Sequence, residues 1–138
     1  MVSVITLCEV IYNSPMMSQR TTGVLLLNLG GPDTLADVEP FLFNLFSDRQ
    51  IIPLGPSFLQ KFIARRIARR RAPKSSESYR LIGGGSPIRR ITESQARALE
   101  LALNASGRFM VRVCMRYWHP YAAEALQEMT SAGIREIV

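Results

Sequence analysis

The sequence is poor in the residues that carry most metal and acid–base chemistry. It holds 1 histidine, 1 tryptophan and 2 cysteines in 138 residues. Cys8 and Cys114 lie far apart and in no CxxC pattern. That excludes a disulfide framework and a multi-thiolate metal site, and it fits a reducing, cytoplasmic setting. The single histidine, His119, stands before Pro120 and reads as structural rather than catalytic. No pair of carboxylates stands out, and no cluster has metal-ligand spacing, so no metal site is expected. Long apolar runs are missing too. The best, Gly23 to Leu29, is the length of a strand and far short of a membrane span. Nucleotide fingerprints are absent. Asn28-Leu29-Gly30-Gly31-Pro32 is not GxGxxG, and Gly83-Gly84-Gly85 is followed by no Lys-Ser/Thr pair. No internal repeat or low-complexity segment breaks the chain.

What remains is a globular composition with a basic balance. Hydrophobic residues make up 47% and charged residues 20%, enough for one domain with a core. Lys and Arg outnumber Asp and Glu by 17 to 11, a net charge of +6. Anionic partners follow: acidic small molecules, a membrane surface or nucleic acid. Residues 1–20 are expected to form an N-terminal extension without fixed structure. Met1 to Tyr12 is apolar but lacks the basic start of a signal peptide, and Glu9 interrupts it. The folded domain is expected over residues 21–138.

Along that domain the pattern alternates. Gly23 to Leu29 is continuously apolar, as in a parallel strand buried on both faces. Gly30-Gly31-Pro32-Asp33 turns into a helix that becomes regular near Asp37, since Pro40 fits only close to a helix start. Ser47-Asp48-Arg49 closes it. Ser57 is placed to cap a second helix, with Phe58, Leu59, Phe62, Ile63 and Ile67 on one side and Lys61, Arg65, Arg66 and Arg69–Arg71 on the other. Pro73 is expected to stop it, and Ser75 to Leu81 to form a separate short helix. Thr92-Glu93-Ser94-Gln95 reads as a capping box, opening a helix striped with Ala96, Leu99, Ala102 and Leu103. A strand over 108–117 follows, its better-buried face formed by Phe109, Val111, Val113 and Met115. The next helix spans about 121–132, Gly133 ends it, and a strand starts at Ile134. Strand, helices, strand, helix, strand predicts an α/β fold: a parallel sheet with flanking helices. Ligands of such sheets bind at the carboxyl ends of strands, here Leu29 and Arg116-Tyr117-Trp118.

The available chemical tools are cationic (Arg70, Arg71, Arg116), aromatic (Tyr79, Tyr117, Trp118) and hydroxylic (Ser86). Arginine forks suit carboxylates and aromatic rings suit flat faces, so the inventory binds and orients a flat, acidic molecule better than it moves protons. The basic helix 58–71 admits three readings: a solvated face, a membrane-surface helix, or a nucleic-acid contact. The last lacks interleaved aromatics and any known binding module.

Four stretches, in order and register, carry a family resemblance: Leu26-Leu-Asn-Leu-Gly-Gly-Pro-Asp33, Phe41-Leu-Phe-Asn-Leu-Phe-Ser-Asp-Arg49, Ile82-Gly-Gly-Gly-Ser-Pro-Ile88 and Met115-Arg-Tyr-Trp-His-Pro120. Together they resemble ferrochelatase over about residues 22–138. The resemblance implies a chelatase-like, Rossmann-like half-domain, one of two similar α/β halves that hold a porphyrin between them. It implies insertion of ferrous iron into that porphyrin, protoporphyrin IX to protohaem, in haem biosynthesis. Iron and porphyrin would be substrates, and no cofactor is assigned to this chain. Leu29 would line the porphyrin face, Tyr79 and Ser86 would be pocket positions around the glycine loop, and Arg70 and Arg71 the basic pair near the propionates. Arg116 and Tyr117 would be the Arg-Tyr pair at the second strand end. Helix 58–71 would match a membrane-facing lip, giving a cytoplasmic protein in peripheral contact with membrane.

The family's base and acid lie in a second half that does not occur in these 138 residues. No catalytic residue is therefore assigned, and the chain is expected to be truncated, inactive alone and prone to self-association. Three alternatives stay open. One is a non-catalytic porphyrin-binding module, one is use of coproporphyrin, and one is a basic membrane-surface domain.

Overall fold

The computed structural model describes residues 20–138. Cys8 and all but the last residue of the expected N-terminal extension lie outside the described residues. The chain forms β1 (Thr22–Asn28), a 3-10 turn (Leu35–Asp37), α1 (Val38–Ser47) and a second 3-10 turn (Ser57–Leu59). Then come α2 (Gln60–Leu81), α3 (Ile88–Leu103), β2 (Phe109–Met115), α4 (Ala122–Ser131) and β3 (Glu136–Ile137). The strands order β2-β1-β3, all parallel. Strand order therefore reverses about β1, which places a topological switch point at its carboxyl end. The expected α/β architecture, a parallel sheet with flanking helices, is the observed one.

Two clusters make the core. Val111, Val113 and Met115 of β2 bury against Ala96 of α3, with Val24, Leu26, Leu99 and Leu103 around them. Val38, Phe41, Leu42 and Phe46 of α1 bury against Ala64 and Ala68 of α2 and against Tyr117. The small alanines let α1 and α2 approach closely, and this is the most extensive helix pair among the described residues. Gln60 opens the same stripe of α2. Its amide donates to Phe46 O and Ile52 O, and its carbonyl accepts from Leu54 N, so the connector between the helices is pinned from inside.

Several local expectations are corrected. α2 runs straight through Pro73 to Leu81, so residues 75–81 are its last turns and not a separate helix. Proline removes one N–H and one helical bond, but Pro73 and Arg69 are both exposed, so water replaces what is lost. Ser57 caps nothing and enters a 3-10 turn instead. Thr92 lies inside α3, which begins four residues earlier at Ile88. Its hydroxyl donates back to Ile88 O at 2.7 Å. Ala102 is exposed and drops out of the α3 stripe.

The apolar side of α2 differs as well. The core takes Gln60, Ala64 and Ala68, while Phe58 and Phe62 are 80% and 67% exposed. Their apolar rings thus share the outer surface with Lys61, Arg65 and Arg66, which are exposed too. Nor is β1 buried on both faces: Leu27 is 71% exposed, and Leu29, just beyond the strand, 48%. No helix among the described residues is long and apolar enough to cross a membrane.

Candidate functional site

The carboxyl ends of β1 and β2 stay joined beyond the regular sheet. Arg116 N donates to Asn28 O, and Tyr117 N donates to Leu29 O, both at 3.0 Å. This sets Leu29 beside the Arg116-Tyr117 pair. The segment after β2 then folds back sharply, with Met115 N donating to Pro120 O at 2.7 Å. α1 clamps that turn through Asn44, whose amide donates to Tyr117 O at 3.1 Å and to the Tyr121 hydroxyl at 2.9 Å.

The two glycine segments meet at the same end of the sheet. Gly30 has φ +87°, and a side chain there would press on the Trp118 backbone. A Cβ on Gly31 would sit 2.6 Å from Ser86, and one on Gly85 would sit 2.1 Å from Asp33 O. Ser86 N also donates to Pro32 O at 2.7 Å. The glycines are thus required where two backbones touch. Gly83 and Gly84 serve differently. They end α2 with positive φ, Gly84 N donating to Tyr79 O and Gly83 N to Arg80 O, the pairing of a Schellman cap. Arg89 straps the loop, reaching Asp33 at 2.9 Å and Glu93 at 3.0 Å.

Of the residues expected in a site, Leu29, Ser86, Arg116 and Tyr117 are gathered here by these contacts. Tyr79 packs, half-buried, on the α1–α2 cluster that contains Tyr117, and burial pushes its phenol pKa up. Ser86 is half-buried, its hydroxyl accepting from Ile88 N at 3.3 Å. Arg70 and Arg71 lie elsewhere. They line a depression of about 690 Å³ along α2 with Ile67, Lys74, Ser75 and Ser78, and the Arg71 guanidinium lies 5.5 Å from the Phe46 ring centre. A second depression, of about 550 Å³, is bounded by Asn44, Asp48, Lys61, Arg116, Tyr117 and Tyr121 among others.

Asp48 is the site residue that sequence reasoning missed. Its Oδ2 accepts from Arg116 Nη2 at 2.6 Å and from the Tyr117 hydroxyl at 2.8 Å, while Oδ1 accepts from Gln50 N at 2.8 Å. The Tyr117 hydroxyl, then the Gln50 N–H and the Arg116 guanidinium, hold its carboxyl below the usual aspartate range. Tyr117 is pushed up, first by burial and then by its bond to Asp48. Arg116 is raised by Asp48. A sequence signal existed: an acid at a helix carboxyl end faces the negative pole of the macrodipole, so it needs donors from elsewhere.

His119 takes no place in this cluster. Its Nδ1 lies 2.9 Å from both Glu124 oxygens, and Glu124 Oε2 accepts from Tyr121 N at 2.6 Å. It helps to hold the start of α4. Cys114 is buried, and burial raises its thiol pKa. No group of acidic, cysteine and histidine side chains that could hold a metal occurs among the described residues.

A family model described as Ferrochelatase matches residues 21–138. Named relatives agree. The chain is 57% identical to a ferrochelatase of Desulfotalea psychrophila over 122 residues, covering 88% of this chain and 38% of that one. It is 56% identical to a ferrochelatase of Geotalea uraniireducens, covering 85% and 36%. It is also 56% identical to one of a Cyanothece species, covering 84% and 30%. The chain thus spans a third or so of the length of these curated relatives. Two of the four motifs that resemble the family sit at the carboxyl ends of β1 and β2, one forms most of α1 and its end, and one is the loop between α2 and α3. On the family model and on identities of 56–57% across most of its length, the chain belongs to the ferrochelatase family.

Proposed function

We propose that this chain forms the N-terminal, porphyrin-binding wall of a ferrochelatase, an enzyme of haem biosynthesis that inserts ferrous iron into protoporphyrin IX. The observation that carries the reading is the joining of Leu29, Arg116 and Tyr117 at the carboxyl ends of β1 and β2. An apolar side chain, a guanidinium and an aromatic ring there suit a flat, acidic macrocycle. Ser86 and Tyr79 bound the site from the glycine-loop side. Arg70 and Arg71, with Lys74 beside them, supply cations for propionates reaching along α2.

Metal insertion requires two pyrrole N–H protons to leave and the macrocycle to bend so that nitrogen lone pairs face the metal. This wall offers shape and charge. In the proposal the base and the opposing acid come from a second half, and the chain alone binds porphyrin without metallating it. In this reading the protein is cytoplasmic and touches the membrane peripherally through the outer side of α2. Phe58 and Phe62 stand exposed among Lys61, Arg65 and Arg66, and apolar rings among cations suit an anionic interface.

The test is a pair of fluorescence titrations of the 138-residue chain, with protoporphyrin IX and with coproporphyrin. Saturable binding that favours protoporphyrin supports the proposal. Preference for the tetracarboxylate would reassign the substrate to coproporphyrin, and no binding of either would remove the porphyrin site from this chain.

A further inference from the structure

Arg116 and Tyr117 share one acceptor atom. Oδ2 of Asp48 takes Nη2 of Arg116 at 2.6 Å and the hydroxyl of Tyr117 at 2.8 Å. The other carboxylate oxygen is fixed by Gln50 N at 2.8 Å, and Gln50 Oε1 accepts from the same Nη2 at 3.1 Å. Asp48 itself caps α1 and is mostly buried on its side-chain atoms, with 18% exposed, against 48% for Arg116. The contacts use a single nitrogen of the guanidinium. Nη1 and Nε have no partner among the described residues. An arginine held by one corner at a strand end is fixed in direction while most of its donors stay available. The Tyr117 ring is buried below it, 5.5 Å from the guanidinium carbon.

We propose that Asp48 is the positioning residue of the porphyrin site: from the end of α1 it fixes the Arg116 guanidinium and locks the Tyr117 ring, so that β2 presents both in one orientation. This rests on the porphyrin site proposed above. Asp48 touches neither substrate in this scheme. It acts through Arg116, and its negative charge also lowers the cost of keeping that cation half-covered. An unpinned Arg116 would sample many rotamers, and part of its binding contribution would be spent on ordering it.

The experiment uses protoporphyrin IX titrations of the 138-residue chain with Asp48→Asn, Asp48→Glu, Arg116→Ala and the Asp48→Asn/Arg116→Ala double variant. In parallel, the rate at which phenylglyoxal modifies Arg116 is followed by mass spectrometry without ligand. Loss of a charge-assisted bond should weaken binding by about tenfold or more in Arg116→Ala. Asp48→Asn should weaken binding several-fold and speed Arg116 modification. Asp48→Glu, which keeps the charge, should recover most of the affinity. The double variant should bind no worse than Arg116→Ala alone, because the two residues act as one unit.

Three outcomes overturn the proposal. The first is Asp48→Asn binding like the original chain with Arg116 modified at the original rate, even if its melting temperature falls. The second is an effect of Asp48→Asn that adds in full to that of Arg116→Ala. The third is failure of the original chain to bind porphyrin at all, which removes the site itself. Only in this last case does the proposed function fall as well.

Discussion

The side-chain amide of Asn28 donates to the hydroxyl of Thr92 at 2.9 Å. Thr92 is almost fully buried, 1% exposed, and its own proton goes to Ile88 O. One hydroxyl therefore joins the end of β1 to α3, while the side-chain Oδ1 of Asn28 accepts from Leu29 N at 2.7 Å. This fixes the backbone that carries Leu29.

Thr92→Val keeps the shape and removes the acceptor. It leaves a part-buried amide unpaired, which should cost about 1–3 kcal/mol. Urea denaturation measures it, and Thr92→Ser should recover most of the loss. Equal stability of Thr92→Val would show that Asn28 finds another partner.

The glycine triplet should divide by mechanism. Gly85→Ala drives a Cβ to 2.1 Å from Asp33 O, a backbone clash that no rotamer relieves, and should cost about 3 kcal/mol or more. Gly83→Ala and Gly84→Ala meet open space but keep positive φ of 107° and 90°. Strain alone should cost about 1–2 kcal/mol each. Denaturation midpoints of the three variants would test that order.

Acid should dissolve the Asp48 cluster in a defined window. Its folded pKa is lowered, so its contribution is fully present above the ordinary aspartate value of about 3.9 and disappears as pH falls through the folded value. Asp48→Asn should melt below the original chain at pH 7, with the gap closing below about pH 4. Glu124 is lowered in the same sense by the Tyr121 N–H and His119, so acid also loosens α4. A melting gap unchanged at pH 2 would contradict the assignment.

The exposed rings of α2 should matter to lipid rather than to folding. Phe62→Ala should change stability by about 0.5 kcal/mol or less. Its partition onto vesicles rich in phosphatidylserine should drop roughly tenfold, from the apolar area no longer inserted. Raised salt should weaken what binding remains, through Lys61, Arg65 and Arg66. Equal partition of Phe62→Ala would argue that the basic residues act alone.

Order and type of the major elements were legible because apolar runs and turn residues agree with the fold. Gly23 to Leu29, the alternation of Val111, Val113 and Met115, and Gly133 all read directly. Other features did not. Pro73 is a strong stop signal locally, but helix continuity is decided by packing on either side, Ala64 and Ala68 before it and Tyr79 after. Thr92 fits a capping box by spacing, yet Pro87 and Ser86 start the helix earlier. The core face of α2 was hidden because its buried residues are two alanines and a glutamine, whereas hydrophobicity pointed to Phe58 and Phe62. At the site, Leu29, Ser86, Arg116 and Tyr117 come from segments the sequence already marked by glycines and strand ends. Asp48 is some seventy residues from its partners in sequence, and only the fold brings them together.

In the proposed reading, this chain binds porphyrin at the β1 and β2 ends but does not itself metallate it. The most direct test saturates the purified chain with protoporphyrin IX and adds ferrous iron without oxygen, following the absorption spectrum. The expected result is a bound porphyrin spectrum that stays metal-free, changing no faster than the uncatalysed reaction, and that takes about tenfold more ligand to saturate in Arg116→Ala. Metalloporphyrin formed well above that rate would contradict the claim, place a working base within these residues and reopen His119.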